Sequence, residues 1–168
     1  NATTGELYYR SVGTDDDGRA RCGNFSNKFP GAMGRSVNTG LISCVANKAI
    51  QGGPSTGGSN DALFWSHLSF RIYWDDDLLD EVLDSPGTAK APAVYDPDNG
   101  RLLTGSGHMN NWSKNNPSAT GDIFGDWREE IVVPEGGERA FLIYTTNYPN
   151  TYRIPTLWHD HQYRQAMV

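Results

Sequence analysis

Residues Gly121–Val133 read GDIFGDWREEIVV, and this stretch decides the expected fold. From Arg128 onward it enters an apolar run that is typical of a β-strand. Gly121 and Gly125 each precede an aspartate, and glycine permits the tight backbone that a turn needs just before a strand. The stretch therefore predicts a turn that presents side-chain chemistry at the start of a strand.

The carboxylates of this stretch form a candidate metal site. A tight turn would aim the side chains of Asp122 and Asp126 into one small volume, with Glu130 as a third candidate ligand. Carboxylate oxygens crowded in this way suit a hard cation such as Ca²⁺. The pattern also fits an alternative, a solvated turn in which Arg128 pairs with Glu130 across the strand face.

Composition favours an all-β class and a single domain. The chain has 168 residues, of which 20% are charged, with 19 Gly and 9 Pro, and this balance suggests short strands joined by many turns. The net charge of −6 argues against nucleic-acid binding. No apolar run approaches the roughly 20 residues that span a bilayer, and the first residues lack a basic-then-apolar signal pattern. We therefore expect a soluble chain without membrane association.

Strand patterns recur along the chain. The clearest lies in Ala62–Trp74, where apolar and polar residues alternate and one face would enter a core. Further strands are predicted at Glu6–Val12, Ala91–Asp96, Arg101–Thr104, Ile131–Val133 and Arg139–Thr146. The apolar spacing in Leu78–Leu83 suits a helical turn as well as a strand.

Two short segments leave their role open. Thr14–Gly18 (TDDDG) has three adjacent carboxylates, including Asp16, that suit either a solvated turn or a cation site, although the spacing of a known calcium loop is absent. The sequence His159-Asp160-His161 suits a metal or acid–base site, or strand-end residues that cap carbonyl groups.

The segment Gly107–Pro117 (GHMNNWSKNNP) is a candidate binding loop. It is polar and turn-rich and carries a single cation, Lys114. Loops displayed from rigid strands commonly hold binding residues. A solvated surface charge is the alternative interpretation of this lysine.

The cysteines and glycosylation sequons favour an extracellular, secreted protein. Cys22 and Cys44 are an even pair, and a disulfide between them would suit an oxidising compartment. Three Asn-x-Ser/Thr sequons begin at Asn1, Asn24 and Asn111.

The order of four segments resembles the rhamnogalacturonan lyases of polysaccharide lyase family 11, which are secreted pectin-degrading enzymes. The segments are DDGRA at Asp16–Ala20, WDDDLL at Trp74–Leu79, NWSKNNP at Asn111–Pro117 running into GDWREEI, and Leu142–Arg164. The resemblance implies blades of an eight-bladed β-propeller. This chain would supply about three blades, so the ring would need the remainder of a longer chain or homo-oligomer partners.

The resemblance also implies β-elimination in rhamnogalacturonan, an acidic plant cell-wall polysaccharide, with Ca²⁺ as cofactor. Lys114 would lie in the substrate cleft as the base, and Arg19 would be a cation that lines the groove. Asn111 and Ser113 would contact the sugar. A glycan on Asn111 would obstruct the cleft, so the sequon and the sugar contact exclude each other. The His-Asp-His segment would be a structural blade junction.

Departures from the family pattern favour an alternative, a non-catalytic extracellular module that binds polysaccharide or self-assembles. The family usually has an acidic D-x-D segment and then a glutamate, where this chain has Asn24-Phe25-Ser26 and Met33. These changes remove charge that would hold a divalent ion. Trp112 also replaces a glycine of the family's cleft loop. The intact GDWREE, WDDDLL and HDHQYR segments favour the enzyme.

Overall fold

The computed structural model describes residues 1–10, 20–36, 42–46, 48–49, 70–85, 90–111, 115–137 and 139–167. These residues form three small antiparallel sheets and very little helix. The all-β expectation is therefore confirmed.

Each sheet joins strands that are consecutive in the sequence. The first contains β1 (Ala20–Gly23), β2 (Met33–Ser36), β3 (Ile42–Ser43) and β4 (Lys48–Ala49). The second contains β5 (Phe70–Ile72), β6 (Glu81–Asp84), β7 (Ala93–Asp96) and β8 (Gly100–Thr104). The third contains β9 (Ala119–Gly121), β10 (Glu130–Pro134) and β11 (Phe141–Tyr144), with β10 in the centre. Each sheet is thus a meander, the pattern that short connections between antiparallel neighbours produce.

The middle sheet is buried on both faces. Val82 and Leu83 are neighbours on β6, and successive strand residues point to opposite faces. Val82 joins a core cluster shared with Phe25 and Met33 of the first-sheet region. Leu83 joins a second cluster, shared with the third sheet, whose buried members are Ile72, Trp74, Leu83, Val94, Met109, Ile131 and Val133. The second sheet therefore lies between the other two.

Burial on both faces decides the conformation of Leu78–Leu83, the segment whose pattern suited a helical turn as well as a strand. Residues Glu81–Asp84 are a strand in which all four side chains are buried. Before it, Leu78 turns with a φ of +62° and is 40% exposed. Burial on both faces outweighs the helical preference of the isolated segment, because packing routinely overrides propensity.

Several predicted strands differ from the structure at their ends. Residues 6–10 form no strand, and all of them except the half-buried Tyr9 are exposed, so the described part of the Glu6–Val12 prediction is wrong. Of the predicted strand Ala62–Trp74, the described part is strand only at Phe70–Ile72. The hairpin β10–β11 agrees with the prediction within one or two residues.

The tail is helical rather than a strand end. A 3-10 helix covers Leu157–His159, and α1 covers His161–Ala166. The side chain of Thr156 caps the first helix, and Asp160 Oδ1 accepts from the Tyr163 N–H, 2.9 Å away, at the start of α1. Thr and Asp are favoured N-cap residues, so these two were the available sequence signals. No helix in the described ranges is long and apolar enough to cross a membrane.

Candidate functional site

The stretch Gly121–Val133 contains the turn between β9 and β10. Gly125 has a φ of +79°, which confirms that glycine is needed for the tight backbone. Trp127 also has a positive φ, +72°. It is held there by burial, by a 3.1 Å hydrogen bond from its indole to Asn150 Oδ1, and by edge contacts with Tyr73 and Tyr152. The turn is therefore fixed by packing on both sides.

The solvated-turn alternative holds only at the tip of the turn, where Ile123 and Phe124 are 44% and 63% exposed, and its Arg128–Glu130 pair is wrong. Arg128, Glu129 and Glu130 are at most 6% exposed. Arg128 pairs with Asp126, and its guanidinium also donates to the carbonyl of Tyr148 at 2.6 Å. The charged residues of the turn therefore serve internal contacts.

Glu130 organises the backbone of the turn. Its Oε2 accepts from the N–H groups of Ile123, at 2.8 Å, and Phe124, at 3.1 Å. Its Oε1 accepts from the Thr145 hydroxyl at 3.1 Å. Burial raises the pKa of Glu130, while these hydrogen bonds act in the opposite direction.

Asp122 connects the turn to the helical tail. Its side chain is fully buried, and Oδ2 accepts from the Thr156 hydroxyl at 2.5 Å and from the Leu157 N–H at 2.8 Å. Its carbonyl accepts from the indole N–H of Trp158 at 2.5 Å. Gly121, the preceding residue, lies so close to the tail that a Cβ there would be 2.5 Å from Met167 Cε.

The predicted ligands Asp122, Asp126 and Glu130 are not brought together. Among the described residues they form no group of three with oxygens within 4.8 Å of one another. Each one accepts hydrogen bonds from protein donors instead. The physical reason is that backbone N–H groups of the turn and of the tail need acceptors. Glu130 and Asp126 accept from the turn, and Asp122 accepts from the tail.

Three other acidic side chains do come together, those of Asp75, Asp77 and Glu81. Each offers an oxygen that lies within 4.8 Å of the other two, and we call this group the acidic cluster. Glu81 is 1% exposed, and its Oε2 accepts from the Trp74 N–H at 2.6 Å. Asp76, between the two aspartates, instead binds Thr151. Alternate side chains of the WDDDLL segment thus point to different partners.

The acidic cluster concentrates negative charge in a partly dry site. Burial, reinforced by the charge of Asp77, raises the pKa of Asp75 to about 6, although a hydrogen bond from the Asp77 N–H opposes the shift. Burial and then the charge of Asp75 raise the pKa of Glu81 to about 9. Asp96 adds to both shifts. Several carboxylate oxygens with no compensating cation in the cluster suit a hard divalent ion such as Ca²⁺.

The candidate binding loop has a rigid base. Asn110 and Asn116 exchange backbone hydrogen bonds of 2.6 and 2.9 Å. Asn115 is 7% exposed, donates to the Ser85 carbonyl at 3.2 Å, and accepts from the Lys90 ammonium at 3.1 Å. The adjoining Asn111 is exposed, as a sugar contact or a glycosylation site requires.

A family model described as rhamnogalacturonan lyase family 11, C-terminal domain, matches residues 1–168. The chain belongs to rhamnogalacturonan lyase family 11. The resemblance in the four sequence segments is therefore confirmed.

Two rhamnogalacturonan lyases of Bacillus subtilis (strain 168) match the whole chain. The rhamnogalacturonan endolyase YesW is 35% identical over 172 residues, and the chain covers 25% of it. The rhamnogalacturonan exolyase YesX is 30% identical over 184 residues, with 28% covered. The solved structure of the Bacillus licheniformis rhamnogalacturonan lyase superposes with a TM-score of 0.76 at 32% identity, over 99% of this chain and 26% of that one. The chain spans about a quarter of the length of these relatives.

Some family 11 site predictions fall outside the described residues. These are Arg19, Ser113, Lys114 and the candidate metal ligand Asp16. Their roles stay predictions. The acidic cluster, in contrast, was not predicted as a site, because WDDDLL was considered only as one of the segments that carry the family resemblance. The signal was an Asp-x-Asp pair followed by Glu81 at the start of β6.

The predicted disulfide is not formed in this family 11 domain. Cys22 and Cys44 are free, exposed thiols. Cys22 is paired with Gly34 on β2, and Cys44 follows β3, which lies on the far side of β2. Two strand spacings of about 4.8 Å separate β1 from β3, which exceeds the Cα separation of about 6 Å that a disulfide bridges.

The three sequon asparagines, Asn1, Asn24 and Asn111, are all exposed, and glycosylation stays a prediction.

The His-Asp-His segment forms no three-ligand cluster within the described ranges. His159 and His161 are exposed, while Asp160 caps α1.

Proposed function

We propose that this chain is part of a lyase that cleaves rhamnogalacturonan by calcium-assisted β-elimination. The observation that carries the proposal is the family 11 match over all 168 residues. It is supported by two matching relatives that are both rhamnogalacturonan lyases, one an endolyase and one an exolyase. The acidic cluster adds a place where a calcium ion fits.

Elimination requires removal of the weakly acidic proton at C5 of the uronic acid. A base takes this proton, and the developing negative charge needs a neighbouring positive group. We assign the base to Lys114, a supporting cation to Arg19, and sugar contacts to Asn111 and Ser113. Lys114 acts as a base only in its neutral form, so its pKa must lie well below the ~10.4 of a free lysine.

Asp75, Asp77 and Glu81 are the residues that would hold a calcium ion in the described part of the chain. All three offer the hard oxygen ligands that calcium prefers. Bound calcium would supply positive charge that neutralises these carboxylates. The chain's own contribution is to hold the three side chains together, through the Trp74 N–H on Glu81 and the Asp77 N–H on Asp75.

We also propose that the three meanders are blades of an eight-bladed propeller. The face-to-face burial of the middle sheet supports this arrangement, because propeller blades pack in the same way. The chain spans about a quarter of its relatives, so the other blades would belong to a longer polypeptide or to homo-oligomer partners. The exposed sequon asparagines support a secreted, extracellular location.

The experiment incubates the protein with rhamnogalacturonan in calcium and in EDTA. The readout is the ultraviolet absorbance of the unsaturated uronic acid product. We expect a rise that EDTA abolishes and that Lys114→Ala removes without changing the circular dichroism spectrum. Lys28→Ala is the matched control, because Lys28 is a 66% exposed lysine of the first sheet region. No rise in calcium overturns the lyase assignment for this protein.

One observation favours a second function, a non-catalytic module that binds polysaccharide or self-assembles. Met33 stands where the family pattern has a glutamate, and Phe25 lies between Asn24 and Ser26, which replace the two acidic residues of the D-x-D segment. Both Phe25 and Met33 are 1% exposed in a hydrophobic cluster. That segment therefore contributes packing rather than metal ligands. Retention on immobilised rhamnogalacturonan without any product would support this module and exclude the lyase.

A further inference from the structure

Backbone hydrogen bonds hold the two ends of the candidate binding loop, Gly107–Pro117, against each other. The bonds that Asn110 and Asn116 exchange form a short antiparallel bridge. Inside this bridge the Asn115 N–H donates to the Asn111 carbonyl at 3.3 Å. These bonds close the loop on itself, and other contacts must decide where the closed loop lies on the sheets.

The side chain of Asn115 ties the loop to the middle sheet. Its amide nitrogen donates to the carbonyl of Ser85, the residue that directly follows β6, at 3.2 Å. Its Oδ1 accepts from the ammonium of Lys90, which precedes β7, at 3.1 Å. We call this chain of Lys90, Asn115 and Ser85 the loop clamp. Because Asn115 is buried and one donor is charged, the clamp is stronger than a neutral contact at the surface.

Lys90 and Asn115 both have a backbone conformation that side chains disfavour. The φ angle is +60° at Lys90 and +49° at Asn115. Asparagine tolerates this left-handed region, whereas a lysine remains there only where the surrounding structure holds it. The Lys90 carbonyl accepts from the N–H of Met109 at 2.7 Å, and Met109 is a fully buried member of the core. Lys90 therefore holds the start of the loop through its backbone and the end of the loop through its side chain.

We propose that Lys90 is a positioning residue for the lyase reaction, because it fixes the candidate binding loop through Asn115. The role rests on the proposed function, which assigns the base to Lys114, the residue before Asn115. A base works only within hydrogen-bond reach of the proton that it removes, and a displacement of about 1 Å can lower a rate about 100-fold. Lys90 acts through Asn115 and not on the sugar.

Hydrogen–deuterium exchange measures the loop clamp without reference to activity. Lys90→Met removes the ammonium and keeps the apolar stem of the side chain. We expect the amides of Asn110, Asn115 and Asn116 to exchange about tenfold faster in this variant, because a hydrogen bond from a charged group is lost. The amides of the hairpin β10–β11 should exchange at an unchanged rate. Asn115→Gly accepts the positive φ without a side chain and should loosen the same three amides.

Steady-state kinetics on rhamnogalacturonan measure the positioning. Lys90→Met should lower kcat at least ~10-fold and change KM by less than about twofold, since a misplaced base weakens the transition state and not substrate binding. Lys90→Arg keeps a cationic donor for Asn115 Oδ1 and should retain most of the activity. Lys28→Met is the matched control, because the Lys28 ammonium pairs with Asp98, and it should match the unsubstituted protein in both measurements.

Unchanged exchange of the loop amides in both Lys90→Met and Asn115→Gly would overturn the inference. An unchanged kcat in Lys90→Met, or an equal loss of kcat in Lys90→Arg and Lys90→Met, would overturn it as well. If the unsubstituted protein yields no lyase product while Lys90→Met still loosens the loop, the result supports the clamp and contradicts only the lyase. Lyase product together with unchanged exchange in the variants contradicts only the clamp.

Discussion

Tyr163 donates its hydroxyl proton to Glu129 Oε1 across 2.8 Å. The same hydroxyl oxygen accepts from the Asp122 N–H, also at 2.8 Å. A single phenol from the terminal helix thus satisfies one buried acceptor and one donor of the third-sheet region. Burial, followed by the nearby Glu129 charge, raises the pKa of Tyr163, so the phenol keeps its proton at neutral pH.

Tyr163→Phe should therefore destabilise the protein although it removes a single oxygen. Glu129 and the Asp122 N–H would each lose a partner inside the structure, and a buried polar group left unsatisfied costs about 1–3 kcal/mol. The measurement is the free energy of unfolding in urea. Tyr152→Phe, at a 44% exposed tyrosine, is the control and should change the free energy by less than about 0.5 kcal/mol. Equal stability of the two variants would contradict the bridging role.

Stability in EDTA should fall as the pH rises. Glu81 has its pKa raised from 4.5 to about 9, so the folded state binds this proton more tightly than the unfolded state does. Its contribution is full below the unfolded value and is lost as the pH approaches 9. The contribution of Asp75 to stability is lost in the same way, between pH 3.8 and about pH 6. Melting temperatures measured across this range with EDTA test the expectation.

Calcium should reverse that loss, because the cation binds the deprotonated acidic cluster. We expect the calcium-induced rise in melting temperature to be larger at pH values well above the Asp75 pKa than below it. Glu81→Gln should abolish most of the rise. Asp76→Asn, on a carboxylate of the same segment that binds Thr151 instead, should retain it. A calcium response that survives Glu81→Gln would place the ion elsewhere.

Gly107→Ala should destabilise the protein for two reasons. Gly107 has a φ of +84°, which disfavours a side chain, and a Cβ there would lie 2.7 Å from the Pro134 carbonyl oxygen. We expect a loss of about 1–3 kcal/mol. Gly136→Ala is the matched control, because nothing lies within 4 Å of a Cβ at that loop position. Thermal unfolding of both variants decides the point, and equal melting temperatures would show that the backbone near Gly107 adjusts freely.

Both cysteines should react in the native protein without a reducing agent. Cys22 and Cys44 are exposed free thiols on opposite sides of β2. A thiol reagent should therefore label two sites, counted by intact mass. Cys22→Ser should alter the free energy of unfolding by less than about 0.5 kcal/mol, because no cross-link is lost. A native protein that takes up no label would show that the disulfide forms after all.

Sequence patterns predicted the strands where local signals and burial agree. The strands Ile131–Val133 and Arg139–Thr146 were predicted from their apolar residues, and the structure pairs them as the hairpin β10–β11. The tail was predicted less well, although Thr156 and Asp160 are N-cap residues, because the segment lacks the length and apolar period of a recognisable helix. The acidic turn was identified as chemically important, yet its carboxylates serve as backbone acceptors.

The sequence by itself determined the family, the all-β class and the position of the main turns, because motif order, glycine placement and strand composition are local properties of the chain. Tertiary structure alone decided that Glu81–Asp84 is a strand buried on both faces and that Cys22 and Cys44 stay apart. These outcomes depend on which strands pair and which faces pack. Such choices are made by contacts between residues distant in the chain, for which a single sequence carries no local signal.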